Sequence, residues 1–399
     1  MFRSPARVPP AALFNRRLHL TGATRCGGIP RMKNAGFERG LAVAAFCVAL
    51  CSGELFSADG ADTTREPRAK AEKGDAQAQY NLGVKYAKGD GVPKDAAEAV
   101  KWFRKAADQN DADAQYKLGV FYAEGDGVPK DDAEAVRWYR KAAEQNHADA
   151  QYKLGVSYSK GVGVPKGFAE AVKWFRKAAD QNHAGAQYNL GVFYFKGLGV
   201  PKDDAEAAKW YRKAADQNHA DAQNDLGVSY SKGLGVPKDF AEAVKWFRKA
   251  ADQNNVLAQY NLGGSYAEGV GVPKNAAEAV KWFRKAAEQN HVLAQYNLGV
   301  SYHEGVGVPK DAAESAKWYR KAAEQNDADA QYNLGVSYFK GNGVPKDASQ
   351  AYMYFNLAAA TNADAKKARD AIAGLMTPEQ ITEGQRLLRE WKPVTAPKK

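Results

Sequence analysis

Residues 75–110 read DAQAQYNLGVKYAKGDGVPKDAAEAVKWFRKAADQN, and the same 36-residue text returns, varied but without insertion or deletion, until Asn362. A Leu-Gly pair keeps the register at Leu82, Leu118, Leu154, Leu190, Leu226, Leu262, Leu298 and Leu334. A period in this range marks a solenoid built from one repeated supersecondary unit.

In the first half of the unit Ala78, Leu82 and Tyr86 fall four apart and so line one side of a helix. Gly83 lies beside them and lets another backbone approach closely. Gly89–Pro93 breaks that helix: its glycines can turn left-handed, and Pro93 cannot continue the ladder. A second helix follows, with Asp95 placed to accept from free amides and Glu98 at capping-box spacing to reach back. Repeats three, six and eight vary that pair as Gly167/Glu170, Asn275/Glu278 and Asp347/Gln350. On a helical wheel Ala97, Ala99, Val100, Phe103, Ala106 and Ala107 form a wide apolar arc, opposite Glu98, Lys101, Lys105 and Asp108. The spacing predicts Glu98–Lys101 and Arg104–Asp108 ion pairs, and Asn110 suits a left-handed cap. A helix pair this small cannot bury its own apolar arc, so successive pairs must stack around one continuous core. Trp102 and its equivalents Trp138, Trp174, Trp210, Trp246, Trp282 and Trp318 are then packing residues, one per unit.

The shared text AxxxLGxxYxxGxGVPxDxxxAxxWxRKAAxQ resembles the Sel-one-like repeat family, relatives of the tetratricopeptide repeats with a longer interhelical loop. That resemblance covers residues 75–362. It implies an all-α, right-handed α-solenoid (superhelix) of eight 36-residue helix-turn-helix repeats that serves as an adaptor or scaffold for other proteins. The departures are Asn224-Asp225 for Tyr-Asn in repeat five, Gly264 for Val in repeat six and Tyr354 for Trp in repeat eight.

The flanks read differently. Residues 1–31 carry six arginines and no acid, without periodicity, and read as a mis-called start or a disordered segment. From Met32, the short basic region with Lys33 and Arg39, the apolar run Leu41–Leu50 and the small residues to Gly53 read as a secretory signal peptide, too short for a stable span. Cleavage after Cys51 or Gly53 is expected; Leu50 and Phe46 are too large to precede a lipidated cysteine. Residues 54–74 form a linker and an N-terminal capping turn, residues 363–392 two C-terminal capping helices, the second opened by Thr377, Pro378 and Gln380, and residues 393–399 a disordered tail.

Residues 1–53 hold a net +7 of the chain's +11, so the body from Glu54 onward carries only +4. Its Lys and Arg alternate with acids instead of forming a stripe, which argues against nucleic acid as a partner. Cys26, Cys47 and Cys51 all precede the repeats, leaving these without disulfide or thiol nucleophile.

Chemistry has to be sought where the repeats disagree. Ser-x-x-Lys occurs as Ser157/Lys160, Ser229/Lys232 and Ser337/Lys340, but the companion motifs of penicillin-recognising enzymes are missing and one template explains all three. His147, His183, His219 and His291 share one register, so neighbours lie at least a helix diameter of about 8–10 Å apart, too far to share a zinc ion. No catalytic residue, metal or cofactor is therefore expected. Aromatic and basic residues break the Ser, Ala or Asn pattern of the first helix: Phe121, Phe193, Phe195, His303 and Phe339, with Lys85, Lys117 and Lys153. The resemblance places the register of Ala87, which holds Phe195, His303 and Phe339, on the concave groove. Exposed aromatics there are natural anchors for a partner, the alternative being that each packs between units.

These readings converge on a non-catalytic, monomeric protein-interaction scaffold in the periplasm or outside the cell, binding another protein through the groove, with no membrane span in the mature chain. The alternatives are an envelope hydrolase of β-lactam or peptidoglycan type and a cytoplasmic regulatory adaptor.

Overall fold

A computed structural model describes residues 65–394; the expectations placed on the start, the signal segment and the last residues of the tail lie outside the described residues. The described residues hold nineteen helices and no strand. Helix α1 (Arg65–Glu72) precedes the repeats. Each repeat contributes two helices: α2 (Ala76–Lys88) and α3 (Ala96–Asp108), α4 (Ala112–Glu124) and α5 (Asp132–Glu144), α6 (Ala148–Lys160) and α7 (Phe168–Asp180), and α8 (Ala184–Lys196) and α9 (Asp204–Asp216). They continue as α10 (Ala220–Lys232) with α11 (Phe240–Asp252), α12 (Val256–Glu268) with α13 (Ala276–Glu288), α14 (Val292–Glu304) with α15 (Ala312–Glu324), and α16 (Ala328–Lys340) with α17 (Ala348–Ala358). Two further helices, α18 (Ala363–Ala373) and α19 (Pro378–Glu390), follow. The described residues divide into two compact units, 65–166 and 167–394.

Within each unit the same contacts recur from repeat to repeat. In the first, Trp138 of α5 enters the core made by Val100, Phe103 and Leu118 of the preceding pair and its neighbour. In the second, Trp282 does the same among Val228, Val244, Phe247 and Leu262, and Trp318 among Tyr260, Val280, Phe283 and Leu298. Each indole thereby seals the joint between its own repeat and the one before, which is how helix pairs with thin cores acquire a continuous one. A lysine three residues on covers the indole, as Lys105 does with Nζ 4.1 Å from the Trp102 ring.

The helix ends follow from their residues. The Asp75 carboxylate accepts from the Ala78 amide at 2.7 Å, and Gly89 ends α2 at φ 77°. Asp95 caps α3 by accepting from the Glu98 amide at 2.9 Å. Glu98 does not complete the reciprocal box expected of it, because its carboxylate accepts from Lys101 Nζ at 2.8 Å instead. Arg104 likewise donates to the Tyr122 hydroxyl of the next repeat, not to Asp108. The apolar arc of α3 is rotated from the wheel reading: Ala97 is exposed, while Trp102 is buried. Asn110 and its equivalents through Asn326 take a left-handed φ near 65° at the second-helix ends, the φ of Asn110 itself being 68°.

Glycine is required where backbone or ring approaches. A Cβ on Gly119 would stand 2.7 Å from the Tyr139 ring, and one on Gly127, at φ 69°, would stand 2.3 Å from the Ala96 carbonyl carbon of the preceding repeat.

Polar bonds stitch the same joints. Gln115, 2% exposed, donates to the Ala107 carbonyl at 3.1 Å and accepts from Gln145 at 2.7 Å. In the second unit the pattern repeats as Gln217 to Gln187, Gln253 to Gln223, Gln289 to Gln259 and Gln325 to Gln295. This ladder is absent from a purely hydrophobic reading of the first helix. It satisfies the buried carbonyls that end each second helix.

At the C-terminal end α19 opens with a full capping box between Thr377 and Gln380. The Trp391 ring meets Tyr354 edge-on at 5.7 Å, so Tyr354, standing where other repeats carry Trp, joins the closing layer. No helix among the described residues is long and apolar enough to cross a membrane.

Candidate interaction site

The first helix of every repeat presents the registers of Asn81, Val84, Lys85 and Lys88 on one side, since these lie three, four and seven residues apart. Packing positions such as Leu82 stay constant while the registers of Asn81, Lys85 and Lys88 vary and that of Val84 changes once, to Gly264. The candidate partner residues all fall here or one position away, at the register of Ala87.

The structure sorts them. Phe193 is 4% exposed, wedged edge-on against Phe175 at 5.4 Å and Phe168 at 5.8 Å, so it is core and offers a partner no contact area. The α7 substitution Phe168 accounts for this, because it fills the space that would otherwise leave Phe193 open. Phe121 is half-buried with its ring 5.5 Å from Phe103. Phe195 and Phe339 are half-buried as well, each resting one side on core, with Lys202 Nζ 5.5 Å from the Phe195 ring. His303 lines a small cleft with Tyr319, Asn333, Ser337 and Lys340; burial first, then Lys310 and Lys340, hold its imidazole below the usual pKa. Lys85, Lys117 and Lys153 are half-buried, Lys117 lying 5.7 Å from the Tyr116 ring. These residues form no single constellation: Lys85, Lys117, Phe121 and Lys153 belong to the first unit, and Phe193, Phe195, His303 and Phe339 to the second.

The residues weighed for catalysis have structural work. Ser229 and Ser337 are buried and donate to the carbonyls of Asp225 and Asn333 at 2.9 Å, the back-bonding of a helix serine. The four histidines are N-caps, and His219 Nδ1 accepts from the Ala222 amide at 3.3 Å. His147 adds a contact of 3.1 Å from Nε2 to Asp113 and stacks on Tyr116 at 4.8 Å. No cluster among the described residues has the three or more His, Cys, Asp or Glu side chains a metal would need.

Two features were not anticipated in the sequence. The first is a buried polar chain at the Asn224-Asp225 departure. The Tyr188 hydroxyl donates to Asp225 Oδ2 at 3.3 Å, Asn224 Nδ2 to Asp225 Oδ1 at 3.1 Å, and Asn261 Nδ2 to Asn224 Oδ1 at 3.0 Å. Burial pushes the Asp225 carboxyl up to about 7, against the opposing pull of the Asn224 bond. The second is a cavity of about 120 Å³ beside Gly264, lined by α12, α13 and α14 and by Lys274 and Val306 of the loops that follow α12 and α14. Gly264 lacks the valine that fills this register as Val228 and Val300 in the adjoining repeats.

Comparison with known proteins places this architecture. The profile described as the Sel1 repeat matches residues 76–111, 112–147, 148–183, 184–219, 220–255, 256–291, 292–327 and 328–360. The crystal structure of a Sel1 repeat protein from Oxalobacter formigenes is similar at 34% identity and a TM-score of 0.61, over 77% of this chain and 90% of that one. A protective antigen of uropathogenic Escherichia coli strains, described as displaying an SLR fold, is 34% identical over 82% of this chain and 85% of that one, with a TM-score of 0.46. Among curated proteins no match is found. Eight consecutive matches, each spanning one helix pair, show that the chain belongs to the Sel1 repeat family.

Proposed function

We propose that this protein is a non-catalytic scaffold that binds another protein along the variable face of its first helices. Sel1 repeat proteins generally serve as protein-interaction scaffolds. The observation that supports the reading here is the division of labour within each repeat. Leucine, glycine and first-helix glutamine positions stay fixed, and tryptophan in all but repeat eight, because they make the joints, whereas Phe195, His303 and Phe339 at one register, and Lys or Glu at the next, change without disturbing them. Half-buried aromatics held rigidly at their base have little rotamer entropy to lose and suit a partner's apolar side chains. The reading extends to export into the cell envelope, for which the segment from Met32 to Gly53 is the support.

The test is a crosslinked pull-down from the native host's envelope fraction with residues 54–399 as bait, beside a Phe195→Ala/Phe339→Ala variant. A protein retained by the first and lost by the second, with melting temperatures within a few degrees, is the expected result. A variant that melts far lower assigns both rings to packing and overturns their role. Fractionation of intact cells after outer-membrane opening tests export separately.

A further inference from the structure

One departure from the repeated template, Gly264, meets two carboxylates at one place. Gly264 stands where the neighbouring repeats carry Val228 and Val300, and the missing side chain lies at the cavity of about 120 Å³. Glu268 and Glu304 line the same cavity, at a register that is Lys196 and Lys232 before them and Lys340 after, and that is glutamate also as Glu124 in repeat two. Ala267, also lining it, is the small residue usual at a register where Phe195, His303 and Phe339 are the exceptions. Repeat two carries the same Ala-Glu pair, Ala123 and Glu124, with Val120 in place, so the missing valine is what sets this repeat apart.

The cavity has an apolar floor and an acidic mouth. Val280 and Phe283 are core residues that form the floor, and Ala279 and Val300 add to it. The Oε1 atom of Glu268 is buried without a hydrogen-bond partner, although its residue is not fully enclosed. A desolvated carboxylate oxygen left unpaired is unfavourable, and burial alone raises the Glu268 pKa. One exposed cation, Lys274, lines the cavity too, leaving two carboxylates against one ammonium.

The geometry points to a side-chain pocket for a partner polypeptide, filled by a branched aliphatic or phenyl side chain whose sequence neighbour is a lysine or arginine pairing with Glu268 and Glu304. The size is set by comparison: an apolar cavity of about 150 Å³ accepts benzene. The partner cation answers the unpaired oxygen. A polypeptide is favoured over an isolated amine because the same face continues for two turns to Leu257, half-buried at a register that is Asp221 in the repeat before, Leu293 in the repeat after and Asp329 in the last. An extended segment anchored at Gly264 would meet that second apolar contact.

This pocket rests on the scaffold reading and narrows it. The experiment pans a phage-displayed random dodecapeptide library on purified residues 54–399, then measures synthetic copies of the selected peptides by titration calorimetry against wild type, Gly264→Val and Glu268→Gln. The expected result is enrichment of an aliphatic or aromatic residue adjoining Lys or Arg. Gly264→Val should weaken such peptides at least about tenfold, and Glu268→Gln severalfold with loss of salt sensitivity. Because valine is the template residue, Gly264→Val should melt no lower than wild type, so lost binding cannot be put down to unfolding. Peptides that bind Gly264→Val as well as wild type, that lack a basic residue, or that are not selected at all overturn the pocket. If the Gly264→Val protein still retains its native partner in the crosslinked pull-down, the scaffold reading survives the loss of the pocket.

Discussion

Gln253 donates to Gln223 Oε1 at 2.7 Å, while Gln223 donates to the Ala215 carbonyl at 3.1 Å and to Asn218 Oδ1 at 3.2 Å. One carboxamide thus serves three partners on two successive repeats while only 2% exposed. Gln223→Ala should cost about 1–3 kcal/mol, because it strands buried groups as well as removing bonds. Linked repeats melt incompletely cooperatively, so the measurement is amide exchange in residues 205–260, where protection should fall more than at the chain's ends. Uniform protection after the substitution would contradict the stitching role.

Gly227→Ala sets two effects of opposite sign against each other. Alanine favours the helix by up to about 1 kcal/mol. Its Cβ, however, would stand 2.7 Å from the ring of Phe247, which is 1% exposed and cannot swing away. Overpacking of about 1–3 kcal/mol should win, and a lowered melting temperature is the check.

Asp225 gives the chain a pH dependence that its template lacks. Its pKa rises from 3.8 to about 7 on burial, with Tyr188 and Asn224 as bonding partners, Asp221 adding to the rise and Lys196 opposing it. The folded state therefore binds a proton that the unfolded state has lost, and stability should decline as pH rises from about 4 to about 7. Asp225→Asn restores the residue found as Asn261 in the next repeat and should remove this slope. It should add about 2–4 kcal/mol at pH 8 in denaturant titrations and little at pH 4.

His219 acts in the other direction. Burial, with a smaller push from His183 and against Asp221, lowers its pKa below 6.5, and its Nδ1 accepts from the Ala222 amide. The unfolded chain then binds the extra proton, and stability contributed by the cap should be lost as pH falls below about 6.5. His219→Asn copies the cap made by Asn255, which accepts from Ala258 at 2.9 Å. Its stability relative to wild type should rise between pH 7 and pH 5, read from denaturation midpoints.

The fold could be read from the sequence because one pattern is stated eight times. The period, the Leu-Gly register and the Gly-x-Gly-Val-Pro break fix where each helix starts and stops, and Asn110 has the left-handed φ expected of it. What escaped was side-chain choice between near-equal partners. Arg104 prefers the Tyr122 hydroxyl of the next repeat to Asp108 on its own helix, a competition decided only once the repeats are stacked. The candidate site was legible as a set of variable registers, but not as a surface. Phe193 and Phe195 are two residues apart, yet Phe168 and Phe175 enclose the first while the second stays half-open. Gly264 was visible as a departure; that it lies at a cavity with Glu268 and Glu304 required the helices of two repeats to be brought together.

The loop glycines carry a consequence for how such a chain can change length. Gly271 rests on the start of α11, with its would-be Cβ 2.1 Å from the Phe240 carbonyl oxygen, and Gly307 rests likewise on Ala276 at 2.2 Å. A single inserted or deleted loop residue would lift that contact and throw every later joint out of phase. Removing residues 256–291 whole would instead bring Asn255 to Val292 in the same phase as its present neighbour Val256. Length in this chain is quantised: it can grow or shrink by whole repeats, and by little else.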